Sequence, residues 1–143
     1  MFKRISGKPK VEWYAKDASV AFVNGGLVYW NGTGELIPAD ATSGDHAGVI
    51  LRAVTSADSD YATSLAKVPV DTITPDDVFE ADVITGTLTT AMVGNRYDID
   101  ATGSGVDVTA TSKKVVTVVG FVSASKALVK INAVITSADV VTS

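Results

Sequence analysis

At 143 residues the chain fits one domain, and with no cysteine it must hold its fold without disulfides. Its polar residues are mostly Thr, Ser, Gly and Asp, with a single histidine, His46, so no nucleophile–base pair, metal cluster or phosphate cradle can be assembled from the usual parts. The net charge of −4 argues against nucleic acid as the main partner, and no apolar run approaches the roughly 20 residues of a membrane span.

The charge is unevenly placed. The first ten residues carry Lys3, Arg4, Lys8 and Lys10 and no acid, while the remainder carries eight basic residues against sixteen acidic ones. No long apolar stretch follows MFKRISGKPK, so no secretory leader is expected there. Gly7 and Pro9 break regular structure, and Phe2, Ile5, Val11, Trp13 and Tyr14 are apolar anchors set among charges. Residues 1–18 are therefore expected to form an extended arm docked on its own body or on a neighbour, with residues 19–143 as the body. Aromatic residues this close together are rarely left in open water.

Along the body, SVAFV reads as a strand closed by Asn24-Gly25-Gly26. Leu27–Trp30 and Glu35–Ile37 flank Asn31-Gly32-Thr33-Gly34 and read as a hairpin. ADATSGDHAG is loop, and Val49–Val54 a continuous apolar strand. KVPVDTI is a strand that Pro69 assigns to a sheet edge. Thr74-Pro75-Asp76-Asp77 resembles a helix start, but a turn into a strand over Val78–Val83 is the favoured reading. Arg96–Ile99 and Val106–Ala110 alternate around a turn at Thr102–Gly105. Val115–Val122 is the strongest strand, with a bulge or bend expected at Gly120. The last long strand places Ala127, Val129, Ile131 and Ala133 on one face and Leu128, Lys130 and Asn132 on the other, ahead of a frayed SADVVTS tail. Turn signals every 8–12 residues with β-branched residues between them indicate an all-β fold, a small β-barrel or β-sandwich with an extended N-terminal arm.

Four constellations could carry chemistry. Asp98, Asp100, Thr102 and Asp107 resemble the opening of a calcium loop, but Thr109 stands where the bidentate glutamate should be, and a β-turn whose Asp and Thr side chains cap local backbone groups is the favoured reading. Asp45-His46 has no nucleophile at a useful spacing. The acid pairs Asp58/Asp60 and Asp76/Asp77 read as solvated loop charge. Trp13, Tyr14, Tyr29 and Trp30 would either stack on sugar rings or fill a core or subunit interface. The chain is thus expected not to be an enzyme and to need no cofactor or metal.

The segments VAFVNGGLVYWNGTGELIPADATSGDHAGVILRAV, KVPVDTI, MVGNRYDID and VVGFVSASKALVKINAV, over roughly residues 19–135, resemble the small capsid decoration (cement) proteins of tailed bacteriophages. The resemblance implies a non-enzymatic virion structural protein, made in the host cytoplasm and carried on the outer capsid surface. It also implies a homotrimer clamped on the major capsid protein, with neither nucleic acid nor membrane as partner. The arm suggests the contact residues, Phe2, Lys3, Arg4, Ile5, Lys8, Lys10, Trp13 and Tyr14. A carbohydrate- or receptor-binding β module of the head-fibre or adhesin type is the alternative.

Overall fold

The computed structural model describes residues 1–40 and 46–132. Among these residues there are eleven strands: β1 (Phe2–Ser6), β2 (Val11–Ala15), β3 (Leu27–Trp30), β4 (Leu36–Pro38), β5 (His46–Ile50), β6 (Lys67–Thr72), β7 (Val78–Thr85), β8 (Arg96–Ile99), β9 (Val106–Asp107), β10 (Val116–Ser123) and β11 (Lys126–Ile131). One turn of 3-10 helix, Thr90–Met92, lies before β8. The chain is all-β.

The strands form two sheets. In the first, β7, β11, β10, β8 and β9 are neighbours in that order, and a parallel pairing of β9 with β7 closes them into a five-stranded barrel. β1 lies antiparallel on β7, Phe2 opposite Ala81 and Arg4 opposite Phe79. In the second sheet the order is β2-β6-β5-β3-β4. Its outer strands meet through a bridge between Lys16 and Leu36, and the Asp17 N–H donates to the Leu36 carbonyl at 2.9 Å.

Alternation decides which side chains fill each sheet's interior. Phe79, Ala81 and Val83 of β7, Val116 and Val118 of β10, and Ala127, Val129 and Ile131 of β11 are buried in one core, as the β11 pattern anticipates. Val28, Leu36, Ile50, Val54, Val68 and Val70, with Phe22, make the second. Lys16 is also fully buried there, its Nζ donating to the carbonyls of Tyr61 at 3.0 Å and Thr63 at 3.3 Å. A buried ammonium without such acceptors would be costly, so those two carbonyls are what permit a lysine at this place.

Several expectations are met at residue level. Asn31 Oδ1 accepts the N–H groups of Thr33 (2.8 Å) and Glu35 (3.2 Å), which fixes the β3–β4 hairpin. Thr74–Asp77 is a turn into β7, the Thr74 N–H donating to Asp77 Oδ2 at 2.9 Å. The β10–β11 register shifts between Val118 and Gly120, the bulge assigned to Gly120.

Several local expectations fail: His46–Gly48, expected as loop, pair with β3 and open β5, and of the alternating run Val106–Ala110 only Val106 and Asp107 are strand. Residues 19–23 make no strand, only a bridge from Phe22 to Val54, because the chain there turns over the end of the second core. The apolar run expected as a strand over Val49–Val54 is cut short, since β5 ends at Ile50. β6 is an interior strand despite Pro69. The Pro69 carbonyl accepts from Leu51 N–H at 3.0 Å, one residue past the end of β5, so the donor that proline lacks falls where the ladder has already stopped. Asp45, Ala133 and the SADVVTS tail lie outside the described residues.

Candidate binding surface

The first eighteen residues are extended and dock on their own body, β1 in the first sheet and β2 in the second. Between them Arg4 is the fastening. Its Nε and Nη2 form a two-pronged bond to Asp71 (2.9 and 2.8 Å), Nη2 also donates to the Thr72 carbonyl (3.1 Å), and Nη1 lies 2.8 Å from Asp77 Oδ1. The guanidinium sits 5.0 Å from the centre of the Phe79 ring. Gly7 passes so close, at φ +96, that a Cβ there would collide with the Asp77 carboxylate and Arg4. Planar two-pronged geometry is what makes arginine, rather than lysine, suited to joining strands from two sheets.

The electrostatics of this cluster are mutual. The hydrogen bond to Asp71 holds the Arg4 guanidinium even above its ordinary value, against the opposing effect of burial. Burial pushes the Asp77 carboxyl up, but the Arg4 bond and the Thr74 N–H together outweigh it and hold the group below the ordinary aspartate value of 3.8. At the surface the bond from Arg52 likewise lowers Asp60. A depressed carboxyl stabilises the fold while ionised, that is above 3.8, and the stabilisation is lost as the pH falls through that value toward the lower folded one. The urea midpoint is therefore expected to fall through the interval below about pH 5, and Asp77→Asn should flatten that slope. A midpoint unchanged across the interval contradicts the ion-pair assignment.

The eight residues singled out in the sequence divide into two groups. Phe2 is buried in the first core. Arg4 serves the ion pairs described above, and Tyr14 packs edge-on to Trp30, centroids 4.9 Å apart. Lys3, Ile5, Lys8, Lys10 and Trp13 stay exposed. Trp13 is 59% and neighbouring Val11 46% exposed. Trp13 stands opposite Pro69, whose carbonyl binds Leu51, itself 43% exposed. The result is an apolar stripe over β2, β6 and the end of β5, with Lys67 opposite Ala15 and Lys8 and Lys10 on the approach to β2. Sequence reasoning missed Leu51 and Pro69, which join the stripe only through strand pairing. Contiguous exposed apolar surface of this kind marks a contact site.

The remaining candidates have structural employment. Tyr29 and Trp30 are half-buried against the cores, so among the four aromatics it is Trp13 that is presented. Asp100 caps its own turn, Oδ1 accepting from Ser104 and Gly105 N–H (both 3.1 Å) and Oδ2 from Thr102 Oγ1 (2.6 Å). Asp107 does the same for Thr109 N–H at 2.9 Å. Asp60 is paired with Arg52, and Asp58 accepts the Thr55 N–H at 2.7 Å. His46 opens β5 opposite Tyr29. Among the described residues no three acidic or histidine side chains converge as metal ligands would. No known protein family matches this chain, and no curated protein is similar enough to it to be counted a relative.

Proposed function

We propose that this chain is a virion structural protein, a capsid decoration (cement) protein that binds the outer surface of the major capsid shell as a homotrimer and acts without catalysis. The observation that carries the reading is the stripe of exposed Val11, Trp13 and Leu51 joined across half-buried Pro69, bordered by Lys8, Lys10 and Lys67 on a sheet whose other face is packed. A rigid face of this kind suits docking onto another protein, with tryptophan as the central anchor and the lysines as a charged rim. Repetition of the face in a trimer would clamp several shell subunits at once, giving avidity from modest contacts.

The test is cosedimentation with expanded shells that lack the protein, together with light scattering of the free protein. Trp13→Asp should leave the fold intact, since the side chain is already in water, and weaken shell attachment by about tenfold or more. Attachment unchanged by Trp13→Asp would refute the stripe as the contact. The same exposure of Trp13 favours one rival, a carbohydrate-binding module. Glycan binding that Trp13→Ala abolishes, by a protein that ignores shells, would establish that rival instead.

A further inference from the structure

We propose that the barrel carries a second binding site, a preorganised cationic groove for an acidic segment of a partner protein. Arg96 and Lys114 line it and Lys130 stands beside it in the same row as Arg96, on a different sheet from the Trp13 stripe, and the site does not depend on the decoration reading. Register places it: Thr117 of β10 pairs with Arg96 of β8 on one side and with Lys130 of β11 on the other. The inward neighbours Tyr97, Val116, Val118, Val129 and Ile131 are buried, so Arg96, Thr117 and Lys130 form one row on the outer face. Beside it lies a shallow groove of about 470 Å³ lined by Asn95, Arg96, Tyr97, Thr111 and Lys114.

Two observations support this site. First, no ion pair engages Arg96, Lys113, Lys114 or Lys130 among the described residues, although the chain as a whole is acidic. Like charges gathered on one face repel, and an anionic occupant relieves them. Second, Lys114 is held at φ +52, the left-handed region that costs a lysine energy and suits glycine or asparagine. Its loop is pinned there: Asp98 Oδ1 accepts the N–H groups of Lys113 (2.7 Å) and Lys114 (2.8 Å), and Asn132 Nδ2 donates to the Lys114 carbonyl (2.9 Å). A lysine kept at a strained and anchored position, on the wall of a groove, points to a role for its side chain.

The spacing favours a peptide. Strands lie about 4.8 Å apart, so Arg96 and Lys130 are separated by roughly 10 Å at the backbone. Carboxylates at alternate positions of an extended segment repeat at about 6.7 Å, within reach of both long side chains. Nucleic acid fits poorly, because the Tyr97 ring is buried and offers no stacking platform, and the acidic body repels a long polyanion.

The experiment measures binding of the full chain to an end-blocked hexaglutamate peptide at low salt, with inorganic phosphate and a six-residue oligothymidylate in parallel. Affinity for the peptide should fall steeply with salt and by about tenfold for each of Arg96→Gln, Lys114→Gly and Lys130→Gln. Lys114→Gly is the decisive variant, since glycine relieves the strain and should keep or raise the unfolding midpoint while binding is lost. Peptide affinity that ignores these substitutions, stronger binding of the oligothymidylate, equal binding of free phosphate and peptide, or no peptide binding at millimolar concentration would each overturn the proposal.

Discussion

A chain lacking residues 1–14 should show no cooperative unfolding transition at room temperature. Three losses coincide in that truncation. Loss of β1 strips β7 of one neighbour over Val78–Ala81, and loss of β2 strips β6 of one neighbour over Val68–Asp71. Phe2 leaves the first core, where a vacated phenylalanine costs about 3–5 kcal/mol. Arg4 leaves Asp71 and Asp77 as carboxylates in partly buried places with no cation. A domain whose whole stability is about 5–15 kcal/mol cannot absorb these together. Circular dichroism and a urea titration of the truncated chain give the answer. A sharp transition near that of the full chain would show that the barrel and the second sheet stand without the first two strands and that the segment is an accessory.

Arg4→Met should be the most damaging single substitution among the basic residues, lowering stability by about 3–5 kcal/mol at neutral pH. The mechanism is the abandonment of two carboxylates, since methionine fills much of the same volume against Phe79. That mechanism makes a second, sharper expectation. Combining Arg4→Met with Asp71→Asn and Asp77→Asn should recover a large part of the loss, because the uncompensated charges are then gone. Arg4→Lys should recover little, since a single ammonium cannot reproduce the two-pronged bond to Asp71 while also meeting Asp77. Equal damage from the triple and single variants would place the cost in packing rather than charge.

What could be read from the chain alone was the local part of the fold. β11 announced itself through Ala127, Val129 and Ile131, the β3–β4 turn through Asn31 and Gly32, and the bulge through Gly120, because each depends on neighbours in sequence. Closure was invisible. It rests on β9, two residues long, lying parallel to β7, and no periodicity can mark so short a strand. Pro69 misled because its place in the ladder depends on where β5 ends, which is a property of another segment. Lys16 was unreadable as a core residue, since its acceptors are the main-chain carbonyls of Tyr61 and Thr63. In the binding surface, the phase of β2 separates Trp13 from Tyr14, and no rule of composition decides which of two adjacent aromatics faces water. The groove of Arg96 and Lys130 exists only once β8, β10 and β11 are in register.

The clasp between Arg4 and Asp71 joins groups 67 positions apart in the chain. At roughly 5–20 residues per second, synthesis leaves the first two strands waiting several seconds for β6 and β7 to emerge. Throughout that interval they are extended, partly apolar and unpaired, and a β6 or β7 already completed on a neighbouring nascent chain is as good a template as their own. Crowded translation of one message would thus set strand exchange between two copies in competition with self-closure.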